Sequence, residues 1–361
     1  MRSVQMSNYT VGEDCFDAIP EALAPYGATS VVLVGGARAL AAAAPGIQAV
    51  LAKTNIQVLD TIVYGTDSSQ TNVDKLAANP NFRDADVAFA IGGGKAIDTV
   101  KTAALELNKT VFSVPTICSN CSAATAIAVV YNDDGSLNRY SYPQAPAHIF
   151  INPKVIAEAP AEYFWAGIGD ALSKQPEVVY ATSEDELSHT AELGLALALT
   201  CSEPLFSYGP QALLDVRANR STEAVKRIAL DIVVNTGYVS NLTNQPDFYY
   251  NSSLAHAFYN ATTRIEREGH YLHGEVVSFG VLVLFAYAHN QEEFERYAHF
   301  NRELGLPVTL AELGLDESHL DALATFAQDT NEWRQGHPQP FEPSLFIDAI
   351  RAADAYGQSL L

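Results

Sequence analysis

The sequence predicts two domains of different class, an α/β half built on a parallel sheet and an all-α half after it. Over the first 150 residues or so, short β-branched runs alternate with alanine-rich segments. Beyond them, apolar residues recur at helical spacing and β-branched runs become few. Of the 361 residues, 48% are hydrophobic and 17% charged, enough to bury one or two sizeable cores and too apolar for a disordered chain.

The first strand is TSVVLVGG, Thr29 to Gly36, a buried run closed by glycines, and the ARALAAAA after it has high helix propensity. A second unit runs through DADVAFAIGGGKAIDTVKTAALEL. Its strand lies near Val87 to Ile91 and its turn at Gly92 to Gly94, and its helix carries Ile97, Val100, Lys101 and Ala104. TVFSVPT adds a third strand. Strands alternating with helices imply right-handed crossovers and a parallel, Rossmann-like sheet. VVYNDDGSLNRY reads as a hairpin about Asp134-Gly135. In the second half, Val225, Ile228, Ala229, Ile232 and Val233 form the core stripe of a helix, as do Leu320, Leu323, Ala324 and Ala327, and Phe346, Ala349, Ile350 and Ala353. The boundary is expected near residue 158, giving an α/β domain over 1–158 and a helical domain over 159–361.

Lys and Arg total 21 against 42 Asp and Glu, a net charge of −21 that repels a phosphate backbone. That argues against nucleic-acid and anionic-membrane partners. No stretch reaches the roughly 18 apolar residues of a membrane span, and the start, MRSVQMSNYTVGEDCF, lacks the apolar core of a secretory signal. A cytoplasmic protein is expected. Cys15, Cys118, Cys121 and Cys201 are too sparse for a disulfide framework.

Gly92-Gly93-Gly94-Lys95 joins a strand to a helix, so a diphosphate could approach backbone amides at a helix N-terminus. Lys95 adds a positive charge, and Asp98, one turn on, is placed to accept hydrogen bonds from a sugar or nicotinamide. Neither the P-loop pattern nor G-x-G-x-x-G is present. A plain glycine turn without function accounts for this loop equally well.

Catalytic zinc commonly takes three N or O ligands and keeps one position open. Three candidates stand out: Asp170 in GIGDALSK, expected in the first turn of a helix, His256 in LAHAFYN, and His273 in HYLHGEVVSFGVLV, where Gly274 permits close backbone approach. The chain has nine histidines, and the separations 170, 256 and 273 match no local zinc motif.

Four segments together resemble the iron-containing, or group III, alcohol dehydrogenases, and within them the glycerol dehydrogenase branch. They are GGGKAIDTVK, VPTICSNCSAATAIAVVYNDDG, GIGDALSKQPE and LAHAFYN with HYLHGEVVSFG, in the family's order. The resemblance implies a dehydroquinate synthase-like fold with metal and nicotinamide held between two domains. It implies Asp170, His256 and His273 as catalytic metal ligands, with Asp170 also touching substrate. For the cofactor it implies Gly93, Gly94, Lys95 and Asp98, then Thr116, Ser119, Thr125, Ile127 and Tyr131. Members with four ligands place a histidine where this chain has Lys174; the three-ligand set is similar to the zinc-dependent members, with Fe2+ kept open. Homo-oligomers are usual in the family.

The chain departs from the glycerol branch in two places. Cys121 stands where that branch has a polyol-binding Asp, and in this it is similar to hydroxycarboxylate dehydrogenases, since a neutral side chain tolerates a substrate carboxylate. Lys174 is then a candidate for that carboxylate, against a solvated helix lysine, and His270 a candidate to relay a proton or support His273 from one helix face. Cys118 and Cys121 read otherwise as small core residues. Gly36, followed by Ala37 and Arg38, aligns with the Asp that selects NAD, which tilts the choice between NAD and NADP slightly towards NADP. The expected reaction is hydride transfer between nicotinamide and a small alcohol or carbonyl, a 2-hydroxy acid and its 2-oxo acid or a glycerol-like polyol. A dehydroquinate synthase-like lyase and a non-catalytic nucleotide- or metal-binding protein are the alternatives.

Overall fold

The computed structural model describes residues 4–338 and 340–361, and these form two compact units. One holds the chain up to Phe164 together with Ala212–Gly237; the other holds Trp165–Gln211 and Tyr238–Leu361. The expected cut at 158 therefore differs from the structure twice. The break falls at Phe164/Trp165, inside a helix, and residues 212–237 return to the first unit. The cause lies in Glu223–Leu230 and the turn after it, whose stripe of Val225, Ile228, Ala229, Ile232 and Val233 is fully buried. A single cut could not express that return.

The first unit is built on six parallel strands: β1 (Asn8–Val11), β2 (Ser30–Gly35), β3 (Gln57–Val63), β4 (Val87–Gly92), β5 (Thr110–Pro115) and a last strand, His148–Ile151. It runs β1, last strand, β5, β4, β2, β3 across the sheet. Strands β2, β4 and β5 are near-continuous apolar runs because both faces are covered, whereas β3 at the edge is exposed at intervals. Helix α1 (Ala37–Leu51) follows β2, and α2 (Gly94–Glu106) follows β4. The expected hairpin is present as Ala128–Tyr131 paired antiparallel with Leu137–Ser141. Gly92 at the end of β4 pairs in register with Pro115 at the end of β5. The glycine turn and the segment after residue 115 therefore leave neighbouring strands at one level.

That segment is stapled from below by Lys101. Its side chain is 0% exposed, and Nζ donates to the carbonyls of Ile127 at 2.6 Å, Ser122 at 2.9 Å and Thr125 at 3.2 Å. Asp98 neutralises it at 3.0 Å and also accepts the Val129 N–H at 3.0 Å. Burial pushes the Asp98 carboxyl up, with Lys101 and the Val129 N–H acting against that.

The second unit is helical. Its centre is His273–Tyr287, buried almost all round, as suits a helix flanked by others on every side. The stripes on Leu320–Ala327 and Pro343–Ser359 are buried as their spacing predicts. No helix among the described residues is long and apolar enough to cross a membrane.

Replacing Lys101 with Met strands Asp98 and three carbonyls in a buried site, so Lys101→Met should cost about 3–5 kcal/mol. Urea denaturation would measure it, and adding Asp98→Asn should recover part of the loss.

Candidate metal centre

The site in the second unit begins with two glycines. Helix α3 (Ala161–Ala171) crosses α6 (His273–Tyr287) so closely that a Cβ on Gly274 would lie 1.8 Å from the Ala166 carbonyl oxygen and 2.7 Å from the Asp170 amide. A Cβ on Gly169 would lie 2.4 Å from the Gly274 carbonyl oxygen. Backbone meets backbone, and the first residue of α6, His273, comes up beside Asp170. The expectation that Asp170 opens a helix is corrected here. It sits in the last turn of α3, because the helix starts at Ala161 and Gly169 is an interior glycine required by packing rather than a start signal.

His273 Nε2 lies 3.0 Å from Asp170 Oδ1. His256, on α5 (Leu254–Thr262), directs Nε2 at the same oxygen from 3.7 Å. One donor atom from each of the three residues falls within 4.8 Å of the others. The Tyr259 and His273 rings meet edge to face with centroids 4.2 Å apart, and His273 remains about a third exposed. Behind His256 stands Glu177 of α4 (Lys174–Ala181), fully buried, with Oε2 2.7 Å from Nδ1.

The charges sustain one another. Burial would raise the Asp170 carboxyl, but the His273 and His256 rings, with Lys174, hold it below its ordinary range. Burial would lower the His256 ring, but Glu177 and then Asp170 raise it above the ordinary imidazole value. Glu177 is held low against burial by His256 and by the backbone N–H groups of Ser253 and His256.

Two expected substrate residues are placed otherwise. Lys174 is not solvated: it is buried, and Nζ donates to the Asn251 carbonyl at 3.0 Å and its side-chain oxygen at 2.8 Å. His270 is exposed in the loop before α6, so it shares no helix face with His273.

The expected cofactor residues gather in the first unit, around the ends of β4 and β5. Gly92 has φ +150°, and Gly93 caps α2 without a side-chain bond. Ile117 and Asn120 lie against Gly93 and Gly94, where a Cβ would come within 2.4 Å and 2.9 Å of them. Lys95 is exposed and pairs with Asp67 at 3.0 Å. Thr116 is buried; Ser119, Cys121, Ile127 and Tyr131 are half-buried. Asp98 and Thr125 point inward to Lys101. Gly36 caps α1, with Arg38 exposed in its first turn. Cys118 is buried beside Asp231, and both burial and that carboxyl push its thiol up; it forms no disulfide with Cys121.

Known proteins resemble this chain over most of its length. The pattern of the iron-containing alcohol dehydrogenases matches residues 7–153. The glycerol dehydrogenase of Thermotoga maritima is 34% identical over 307 residues, 82% of each chain. The chain belongs to the iron-containing alcohol dehydrogenase family. Hydroxycarboxylate dehydrogenase A of Escherichia coli is 32% identical over 71% of this chain and 70% of its own. Among solved structures, the glycerol dehydrogenase of Schizosaccharomyces pombe superposes with a TM-score of 0.86 at 27% identity, covering 99% of this chain and 92% of that one. This iron-containing alcohol dehydrogenase is thus an oxidoreductase acting on CH–OH groups, and nothing in these relatives favours the lyase or the non-catalytic alternative.

Glu177 and Lys101 escaped the sequence reading. Glu177 lies seven residues after Asp170 but on the next helix, so no helical spacing links the two in the sequence. For Lys101 the signals were its place beside Ile97, Val100 and Ala104 on the helix and Asp98 three residues before it, whereas its carbonyl partners left no mark.

Gly274→Ala tests the helix contact. Overpacking of this kind costs about 1–3 kcal/mol, so thermal denaturation should show a lower midpoint than the parent protein, while Gly36→Ala, where an added Cβ would meet nothing closer than 3.9 Å, should be far milder.

Proposed function

We propose that this alcohol dehydrogenase is metal-dependent and nicotinamide-linked, with Asp170, His256 and His273 as the metal ligands. The observation that carries it is the meeting of one carboxylate and two imidazoles, from three separate helices, within 4.8 Å. The donor set suits Zn2+, and Fe2+ is the second reading, favoured by the family's name. A divalent ion held there supplies a Lewis acid that polarises the oxygen of an alcohol or carbonyl.

The chain's own residues do the rest. Asp170 brings the negative charge, the two rings bring neutral nitrogens, and Tyr259 holds the His273 ring while leaving one side open to a small substrate. In the first unit the uncapped amides at the start of α2, flanked by Gly93, Gly94 and Lys95, suit the cofactor's diphosphate, and Thr116, Ser119, Ile127 and Tyr131 suit its remainder. Asp98 and Thr125 act as positioning residues through Lys101. Gly36 in place of an acid, with Arg38 exposed nearby, favours NADP over NAD.

For the substrate, a 2-oxo acid and its 2-hydroxy acid come first, because Cys121 brings no negative charge, and hydroxycarboxylate dehydrogenase A is among the relatives. A glycerol-like polyol is the second reading, supported by the glycerol dehydrogenases. The carboxylate is not assigned to Lys174, whose ammonium is taken by Asn251. A homo-oligomer is proposed from the resemblance.

Nicotinamide absorbance with 2-oxo acids and dihydroxyacetone, with and without chelator, tests the scheme. Asp170→Asn, His256→Ala and His273→Ala should each lower kcat by about a thousandfold or more, the several kcal/mol a Lewis acid supplies. Bound metal should fall with it and the circular dichroism spectrum should hold. Full turnover of any of these variants in chelator would overturn the assignment. Cys121→Asp should cut kcat/KM for 2-oxo acids by about tenfold or more through like-charge repulsion, with dihydroxyacetone spared.

A further inference from the structure

From the contacts of Glu177 we infer that this residue is a positioning residue: its carboxylate fixes His256 in the tautomer with the proton on Nδ1, so that Nε2 is presented as a bare electron-pair donor. The inference rests on the proposed ligation by His256 and adds a residue to it.

Glu177 is 0% exposed, so its oxygens have only the partners the fold supplies. Oε1 accepts the backbone N–H of Ser253 at 2.7 Å and of His256 at 3.0 Å. Oε2 lies 2.7 Å from His256 Nδ1. The two backbone groups can only donate, which pins the carboxylate across the first turn of α5, where the helix dipole also favours negative charge. A carboxylate can only accept, so Nδ1 must donate. A neutral ring carries one N–H, and with that proton on Nδ1 the Nε2 that faces Asp170 carries none. Such an outer carboxylate both orients a histidine and raises its strength as a ligand.

The arrangement makes a conservative change a severe one. In Glu177→Gln the amide oxygen must stay on the two backbone N–H groups, which turns the amide NH2 towards Nδ1. Nδ1 must then accept, and the ring proton moves to Nε2, on the side of Asp170. A side chain that merely filled space would tolerate this near-isosteric change.

Two measurements decide it. In the metal-free wild-type protein, 15N spectra of labelled histidine, taken in alkaline buffer where the rings are neutral, should show His256 as the Nδ1–H tautomer. Glu177→Gln should show the Nε2–H tautomer. In competition with a chromogenic chelator, Glu177→Gln should bind Zn2+ about 10–100-fold more weakly than wild type, the usual penalty for losing an outer-shell partner. A wild-type spectrum with the proton on Nε2, or a variant whose Zn2+ affinity stays within about threefold of wild type, would overturn the inference. Failure of the ligation itself reads differently: Zn2+ binding would then be unaffected by His256→Ala, while the wild-type spectrum still reports the tautomer on its own.

Discussion

Where Gly169 and Gly274 lack a Cβ, two helices of the second unit approach until the Ala166 carbonyl lies where a side chain on residue 274 would begin. Everything in the donor cluster follows from that closeness. The contact fixes where α6 starts relative to the end of α3, and so places His273 at 3.0 Å from Asp170 without help from either side chain. His256 then needs only to arrive from α5, which packs along α6 through Phe258 and Phe279. A rigid helix frame of this kind holds ligands more accurately than loops do.

Around that frame the buried charges nearly balance. Asp170 and Glu177 bring two negative charges, Lys174 one positive, and the two rings none when neutral. The remainder is a single negative charge in a place poor in water, where unpaired charge is costly. Lys174 therefore has a reason to be buried: with its ammonium on Asn251, it offsets part of the acid charge without reaching the donors.

How much of this could be read from the chain depends on the range of each interaction. The strands and the glycine turn were legible because apolar runs closed by glycines are local signals, and so were the helix stripes of the second half. Asp170, His256 and His273 were legible as types and by resemblance, but their meeting was not, since it depends on glycines 105 residues apart in sequence, Gly169 and Gly274. Gly169 even misled, suggesting a helix start where packing required a small residue. Lys174 was illegible as a buried group because it bonds to backbone and amide oxygens of a distant residue, which leave no mark in residue type, and Lys101 was legible only by its helix position and its neighbour Asp98, not by its carbonyl partners. The return of residues 212–237 to the first unit was hidden for the same reason: a helical stripe states that it is buried, not by what.

The Lys101 staple also bears on the thermodynamics of binding. The segment from Ser122 to Ile127 is already held by three carbonyl bonds to one ammonium, itself anchored by Asp98. For the proposed nicotinamide cofactor, a surface ordered before it arrives gives up little conformational entropy on association, so more of the contact energy survives as affinity. The fold meets the cost of ordering once, during folding, and not again at each catalytic cycle.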